Sequence, residues 1–461
     1  MKNIKKFYIK NLVVVLSLVL VFASCDGWID RDLNIDPDSP SDVPMSLLLP
    51  AIQQSMGYNL PGNNSVRTNN IWMQQFDGTD RQSFTEARYQ LNPADVNNLW
   101  SSTYTEMLMN STLILNKART EGAESPNFEG VAQVLMATTL GITTDLFGDI
   151  PYSEAFQGSE NILKPVYDSQ ESIYGSIFSL LDDAVVNLNN PVNALSLNGD
   201  VCYGGDVDNW IKAAYSIKAR HALQLSGVNG NAAYTDALAA VANGFTSNAD
   251  DLLVPFEDAN ENPIFQFMED RGDIRMGGVL MNMLIDNDDP RLEFYATLDA
   301  NGGYSGSDAG SENVDASQPG PYVASTDSST KLMTYSELKF IEAEALLMLG
   351  QAGATEAYQA AVAASVLRVT GDANQAWLDA NINSAGTVTL QDIMDQKYIE
   401  SFTTNQAYAD WRRTGMPALS ISAGAVLNTI PTRFPYAQGE LDYNTENVPS
   451  ASLTDKVWWD Q

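Results

Sequence analysis

Residues 343–365 read AEALLMLGQAGATEAYQAAVAAS, and this stretch decides the class of fold. Two alanine-rich runs flank a turn marked by Gly350 and Gly353. Small side chains at helical spacing let two helices cross closely, and glycine supplies the backbone conformation that ends the first of them. The pattern is that of a tetratricopeptide helix pair. Outward from it, the same period extends the pair over 331–349 and 354–369 and recurs along the chain. Residues 95–120 carry Leu99, Trp100, Tyr104, Met107, Leu108, Ile114, Leu115 and Ala118 at helical spacing. Residues 128–147 follow as a partner that Gly148-Asp149-Ile150-Pro151 stops. Residues 169–188 and 206–225 form another pair, and 390–402 a further helix. The periods are irregular, so these residues alone predict an all-α, repeat-like chain.

Between the second and third pairs the chain changes character. Residues 246–330 contain Pro255, Pro263, Pro290, Pro319 and Pro321. The Gly/Ser/Asp-rich run 301–329 is too long for a simple connector and reads as a binding loop or a disordered segment. Residues 421–461 are again loop-like and end in VWWDQ.

The amino terminus carries its own signal. Lys2, Lys5, Lys6 and Lys10 precede an apolar run, 12–23, too short for a permanent membrane span. The run ends Phe22-Ala23-Ser24-Cys25, with small residues before a cysteine as a lipoprotein signal peptidase requires. The expected layout is a signal peptide over 1–24, a lipidated tether over 25–42 with the lipid on Cys25, and one domain over 43–461. Several acyl chains on one residue would anchor the protein durably. No second apolar segment reads as long enough to cross a membrane.

Composition closes off several function classes. The net charge is −33 over 461 residues, and losing the four leader lysines makes it more negative still. Such a surface repels nucleic acid, so no nucleic-acid partner is expected. With Cys25 lipidated, Cys202 is left alone, and no intramolecular disulfide can form. His221 is the one histidine, set inside an amphipathic helix, so a zinc site or a histidine-based nucleophile has no second member. No phosphate loop and no nucleophile elbow occur. The chain reads as a binding protein and not an enzyme. No cofactor is expected, with calcium at an acid cluster as the alternative. Acid clusters at 30–38, at Asp77/Asp80 and at 286–289 lack the order of a calcium hand, and solvated charge is their default reading.

Landmarks spread over the mature chain carry a family resemblance. They are LNIDPDSPSDVPMSLLLPA (33–51), LFGDIPYSEAF (146–156), YGGDVDNWIKAAYSIKARHALQL (203–225), NDDPRLEFYA (287–296), LMTYSELKFIEAEALLMLG (332–350), KYIESFTTNQAYADWRRTGMP (397–417), IPTRFPYAQGE (430–440) and VWWD (457–460). Together, after a lipobox, they resemble the SusD/RagB group of outer-membrane nutrient-binding lipoproteins, in its SusD-like 2 branch. Ala213-Ala214-Tyr215 and Asn209 depart from the usual pattern. The resemblance implies a SusD-like fold scaffolded by four tetratricopeptide-like pairs. It implies a surface lid for a SusC-type TonB-dependent transporter, with an oligosaccharide or a peptide as cargo. In this family, acidic residues just after the cysteine, here Asp26 and Asp30, favour export to the cell surface. Most landmarks read as structural: Arg291, Arg412, Arg413 and Arg433 are expected to form salt bridges.

Sugars are gripped by aromatic faces, amides, carboxylates and arginines; peptides need backbone hydrogen bonds and apolar pockets. The stretch 71–89, IWMQQFDGTDRQSFTEARY, mixes these groups around Gly78. Trp72 falls in a helical run and reads as core, whereas Asp77, Asp80, Arg81, Phe84 and Tyr89 are candidate ligand residues. Truncating Phe84 or Tyr89 is expected to weaken binding with little loss of stability. Tyr304 and Tyr322 on the long loop are a second candidate group, and Arg271 in 268–276 a third. Two other functions compete with nutrient capture. A surface hydrolase would show turnover, and a scaffold for protein partners alone would not co-purify with a large β-barrel.

Overall fold

The computed structural model describes residues 42–384 and 386–460; the leader, Cys25 and residues 26–41 lie outside the described residues. The main body begins at Met45. Its principal helices are α1 (Met45–Asn59), α2 (Asn64–Trp72), α3 (Arg81–Ala87), α4 (Met109–Ala118), α5 (Pro126–Phe147), α6 (Gln170–Leu188), α7 (Val207–Gln224), α8 (Asn231–Val241), α9 (Pro263–Asp270), α10 (Tyr335–Met348), α11 (Ala354–Thr370), α12 (Leu390–Glu400) and α13 (Gln406–Thr414). The all-α reading holds. Four short strands pair two by two: β1 (Phe76–Gly78) runs antiparallel to β3 (Ile274–Met276), and β2 (Leu252–Val254) to β4 (Thr330–Met333).

Local chemistry sets the helix starts. The Ser169, Asp206 and Thr334 side chains accept backbone N–H groups in the first turns of α6, α7 and α10. Such caps satisfy donors that a helix start otherwise leaves open. Thr389 and Asp392 form a reciprocal capping box on α12. The sequence ran α10 back to Lys331, but Lys331 belongs to β4, and Thr334 starts the helix after it.

Each helix in the series α4, α5, α6, α7, α8, α10, α11 packs on the next, and α1 covers α4. The most extensive neighbours are α5 with α6, α7 with α8, and α10 with α11. Together with α1 and α4 they give the four pairs implied by the resemblance. Pairing by sequence proximity had instead joined 95–120 to 128–147 and 169–188 to 206–225. It overlooked α8 altogether. The segment 95–120 is also not one uniform helix, because a π-helical turn over Thr103–Leu108 interrupts it.

Helix α5 lies at the centre. Its 22 residues are apolar enough to pass for a membrane span, yet the protein itself buries 89% of its apolar window, which makes it a core helix. Gly141 marks its contact with α7: a Cβ there would lie 2.2 Å from Cε1 of His221. His221 is fully buried and packs edge-on to Tyr174. Burial pushes its imidazole down to about 3.

Much of the buried charge is paired. Arg291 and Asp289 form an ion pair at 2.6 Å with neither side chain exposed, and Arg413 lies between Glu344 and Asp410. Arg412 and Arg433 depart from the expected salt bridges. Arg412 donates to the Asp145 and Thr432 carbonyls at 2.6 and 3.0 Å, and Arg433 donates to the Phe147 carbonyl. Asp145 and Phe147 are in the last turn of α5, where carbonyls lack helical partners and the helix dipole is negative, so two guanidiniums answer both needs.

Candidate functional site

The β1–β3 ladder brings together two segments that the sequence singled out separately. Asp77 stands opposite Arg275, and Gly78 opposite Ile274. Gly78 is required by close approach, since a Cβ would sit 1.8 Å from the Ser83 carbonyl oxygen. The chain turns tightly there into α3. Beside this junction, α2, α3 and α9 enclose a polar hollow of about 240 Å³, lined by Asn59, Asn63, Asn64, Arg67, Gln82, Asp95, Asn98, Leu99, Phe267 and Arg271. Its size suits one end of a chain better than a whole oligomer, because ligand pockets commonly run from about 300 to 1,000 Å³.

Arg67 is the centre of the hollow. Its guanidinium lies 3.9 Å above the Phe267 ring. It donates to the side-chain oxygens of Asn63 and Asn64 at 3.2 and 3.1 Å. Burial lowers its affinity for the proton, opposed by Glu86. The Glu86 carboxyl is buried on α3, accepts Gln82 Nε2 at 3.0 Å, and is pushed up to about 7 by burial. Amide groups, a ring edge and cationic donors face one space, which is chemistry suited to hydroxyl-rich or charged polar ligands.

The candidate residues divide into surface and interior. Asp80 is exposed and caps α3. Arg81 is exposed, pairs with Asp273 at 3.0 Å, and donates to the Arg271 carbonyl at 3.4 Å. Arg271 is exposed at the rim of the hollow. Phe84 is half-buried and one face of its ring is already covered by Arg88, 3.9 Å away, which in turn pairs with Glu312 at 2.5 Å. Asp77 is 1% exposed and accepts Ser307 Oγ at 2.5 Å and the Gly310 N–H at 2.8 Å. It anchors the long loop from inside, and burial raises its carboxyl above the usual range. Tyr89 is 2% exposed, and its hydroxyl accepts the Ser422 N–H at 2.9 Å. Tyr322 packs edge-on to Tyr295, and its hydroxyl accepts Arg368 Nε at 3.1 Å. Tyr304 is half-buried on the loop. The structure thus gathers Asp80, Arg81 and Arg271 about one rim and turns Asp77, Tyr89 and Tyr322 inward.

The sequence reading did not pick out Asn59, Asn63, Asn64, Arg67, Gln82 or Phe267. Helical spacing carried part of the signal: Asn63 and Asn64 precede Arg67 by four and three residues, and Phe267 precedes Arg271 by four. The approach of α9 to α2 across some two hundred residues of sequence had no local signal.

Two larger hollows exist. One of about 540 Å³ lies among α6, α7 and α8 and is bordered by the Lys218–Asp182 ion pair. The other, about 440 Å³, is lined by Trp100, Tyr104 and Phe156 with Glu154 and Glu440. Trp100 there is only 7% exposed, and Tyr104 and Tyr167 lie against it. Neither contains a residue that the sequence offered as a ligand candidate. Among the described residues no group of three or more His, Cys, Asp or Glu side chains is arranged to hold a metal ion.

Comparison with known proteins follows this geometry. Residues 37–437 match the family model SusD-like 2, described as starch-binding and associating with the outer membrane. No curated protein sequence matches the chain. Among solved structures, a chitin-binding protein is similar at 28% identity and TM-score 0.80, over 91% of this chain and 100% of that one. A SusD/RagB family protein from Bacteroides thetaiotaomicron is similar at 23% identity and TM-score 0.79, over 91% and 99% of the two chains. A chitin-binding SusD homologue from Flavobacterium johnsoniae is similar at 24% identity and TM-score 0.76, over 91% and 97%.

Proposed function

The chain belongs to the SusD-like 2 family of SusD/RagB nutrient- and carbohydrate-binding proteins, and on that premise we propose that it captures an oligosaccharide at the cell surface and passes it to a SusC-type TonB-dependent transporter. One observation carries the reading: the hollow between α2, α3 and α9 sets amides, two arginines and an aromatic ring around one space. A relative at 28% identity bears the name chitin-binding protein, which favours glycan over peptide. In this reading Cys25 bears the lipid that holds the protein to the outer membrane. Recognition uses side chains alone, with no cofactor, and the sugar leaves chemically unchanged.

Titration calorimetry against chito-, malto- and acidic oligosaccharides tests the binding. A saturable signal with quantitative recovery of intact sugar is expected. Saturable binding of peptides with none of oligosaccharides would replace glycan by peptide, and sustained product release would mean an enzyme. Separately, Cys25→Ser is expected to abolish fatty-acid labelling and to release the protein from the membrane fraction.

A further inference from the structure

The hollow has a charge pattern that a neutral sugar does not need. The chain carries 58 acidic residues against 25 Lys and Arg, so an arginine left without an acid has been kept from its commonest partner. Apart from Arg67 and Arg271, every arginine among the described residues is claimed by a carboxylate or by backbone carbonyls. Arg271 stands at the rim and, among the described residues, has no ion pair within 4 Å and no side-chain hydrogen bond. Arg67 is 5% exposed, is held by two amide oxygens at 3.1 and 3.2 Å, and has an Nε without a partner. The two guanidiniums line the same space, and Arg271 adds to the burial that lowers Arg67's hold on its proton.

None of the acids near this space makes an ion pair with Arg67 or Arg271 within 4 Å among the described residues, although Asp273 and Glu86 each keep one buried oxygen without a hydrogen bond. Asp273 pairs with Arg81 at 3.0 Å, and Asp95 accepts the Asn92 N–H at 2.8 Å. Two converging cations with unspent donors, one of them buried, form a receptor for a planar or tetrahedral oxyanion.

We propose that the hollow receives the acidic group of a glycan, a uronic carboxylate or a sulfate ester, between Arg67 and Arg271. The inference rests on the glycan reading above and narrows it to acidic sugars. The limited volume admits the charged residue and leaves the rest of the chain outside.

Matched pairs of oligosaccharides test it: oligogalacturonate against its neutral methyl ester, and carboxyl-reduced chondroitin sulfate oligomers against the same oligomers desulfated. Calorimetry is expected to show at least one acidic member bound about 10- to 100-fold more tightly than its neutral partner. Which pair responds tells carboxylate from sulfate. Arg271→Gln, at an exposed position that folding does not depend on, is expected to remove most of that difference. Equal affinity for acidic and neutral members, or an unchanged preference in Arg271→Gln, overturns the inference and leaves the glycan reading intact. Binding of acidic peptides with none of any saccharide overturns both.

Discussion

Glu86 shows how one buried group can set a pH response. Its carboxyl, ordinarily near 4.5, is held up at about 7 by burial. The folded state therefore grips the proton more tightly than the unfolded state does. The stability this group contributes is fully present below the unfolded value and is lost as pH rises through about 7, to the extent of roughly 3 kcal/mol. Glu86→Gln is expected to match the wild type in urea unfolding near pH 4 and to exceed it by roughly 1–3 kcal/mol at about pH 8.5. A less stable variant at the higher pH would mean that Glu86 is ionised and paired with Arg67. Tyr89 carries a different lesson. The sequence placed it after a broken helical period and expected a surface ring, but it is 2% exposed and its hydroxyl is hydrogen-bonded. Tyr89→Ala is expected to destabilise by about 3–5 kcal/mol, as for other large buried rings, with Tm falling before any change in ligand affinity is measurable. Composition alone cannot separate a binding aromatic from a core aromatic. The deciding contact, Ser422, lies far along the chain.

At the scale of elements, helices with strong periodicity and caps were legible, and their partners were not. Gly350 and Gly353 announced the α10–α11 turn, and Gly148 the end of α5. Helix α8 is short and alanine-rich, and no side chain caps its start, so neither length nor a capping residue announced it. Nor could sequence proximity show that α5 lies most closely on α6, because contact between helices depends on which faces are apolar all round. The α5–α7 contact offers a measurement. A Cβ on Gly141 would enter the fully buried His221 ring, so Gly141→Ala is expected to cost about 1–3 kcal/mol by overpacking. The same substitution in a His221→Ala background should cost much less, a non-additivity that a double-mutant cycle reads directly. Additive costs would place the damage elsewhere on α5.

For the whole molecule, the buried charges predict a stability optimum on the acid side of neutral. Burial raises Glu86 to about 7 and Asp145 and Asp251 to about 6. Each stabilises the folded state increasingly as pH falls from those values towards the ordinary carboxylate range. Other groups act the other way, His221 and Glu400 among them. His221, held at about 3, costs stability as pH falls below its unfolded value of 6.5. Glu400 is buried, yet Arg368 and Lys331 hold it down to about 2, so its contribution is lost as pH drops from 4.5 through that value. The raised carboxyls gain as pH falls through neutral and outweigh the loss at His221 there, which places the maximum Tm on the acid side of neutral. Scanning calorimetry across pH checks this, and a Tm that climbs steadily to pH 8 would contradict it. The fold was largely readable at this scale because landmarks along the chain bore the family pattern. The candidate site was not, because it is assembled from α2, α3 and α9 only after the chain has closed.

The same disposition of arginines governs how fast a ligand arrives. With most guanidiniums turned inward on carboxylates and carbonyls, the exterior presents mainly unneutralised acid, under a net charge of −33 for the whole sequence. A polyanion bound for the Arg67 hollow must first cross a repulsive field that reaches about 10 Å at 0.1 M salt. Its association rate should therefore increase with ionic strength, the reverse of the usual behaviour of steered encounters, while its dissociation rate increases as well. Stopped-flow mixing at graded sodium chloride concentrations would separate the two arms.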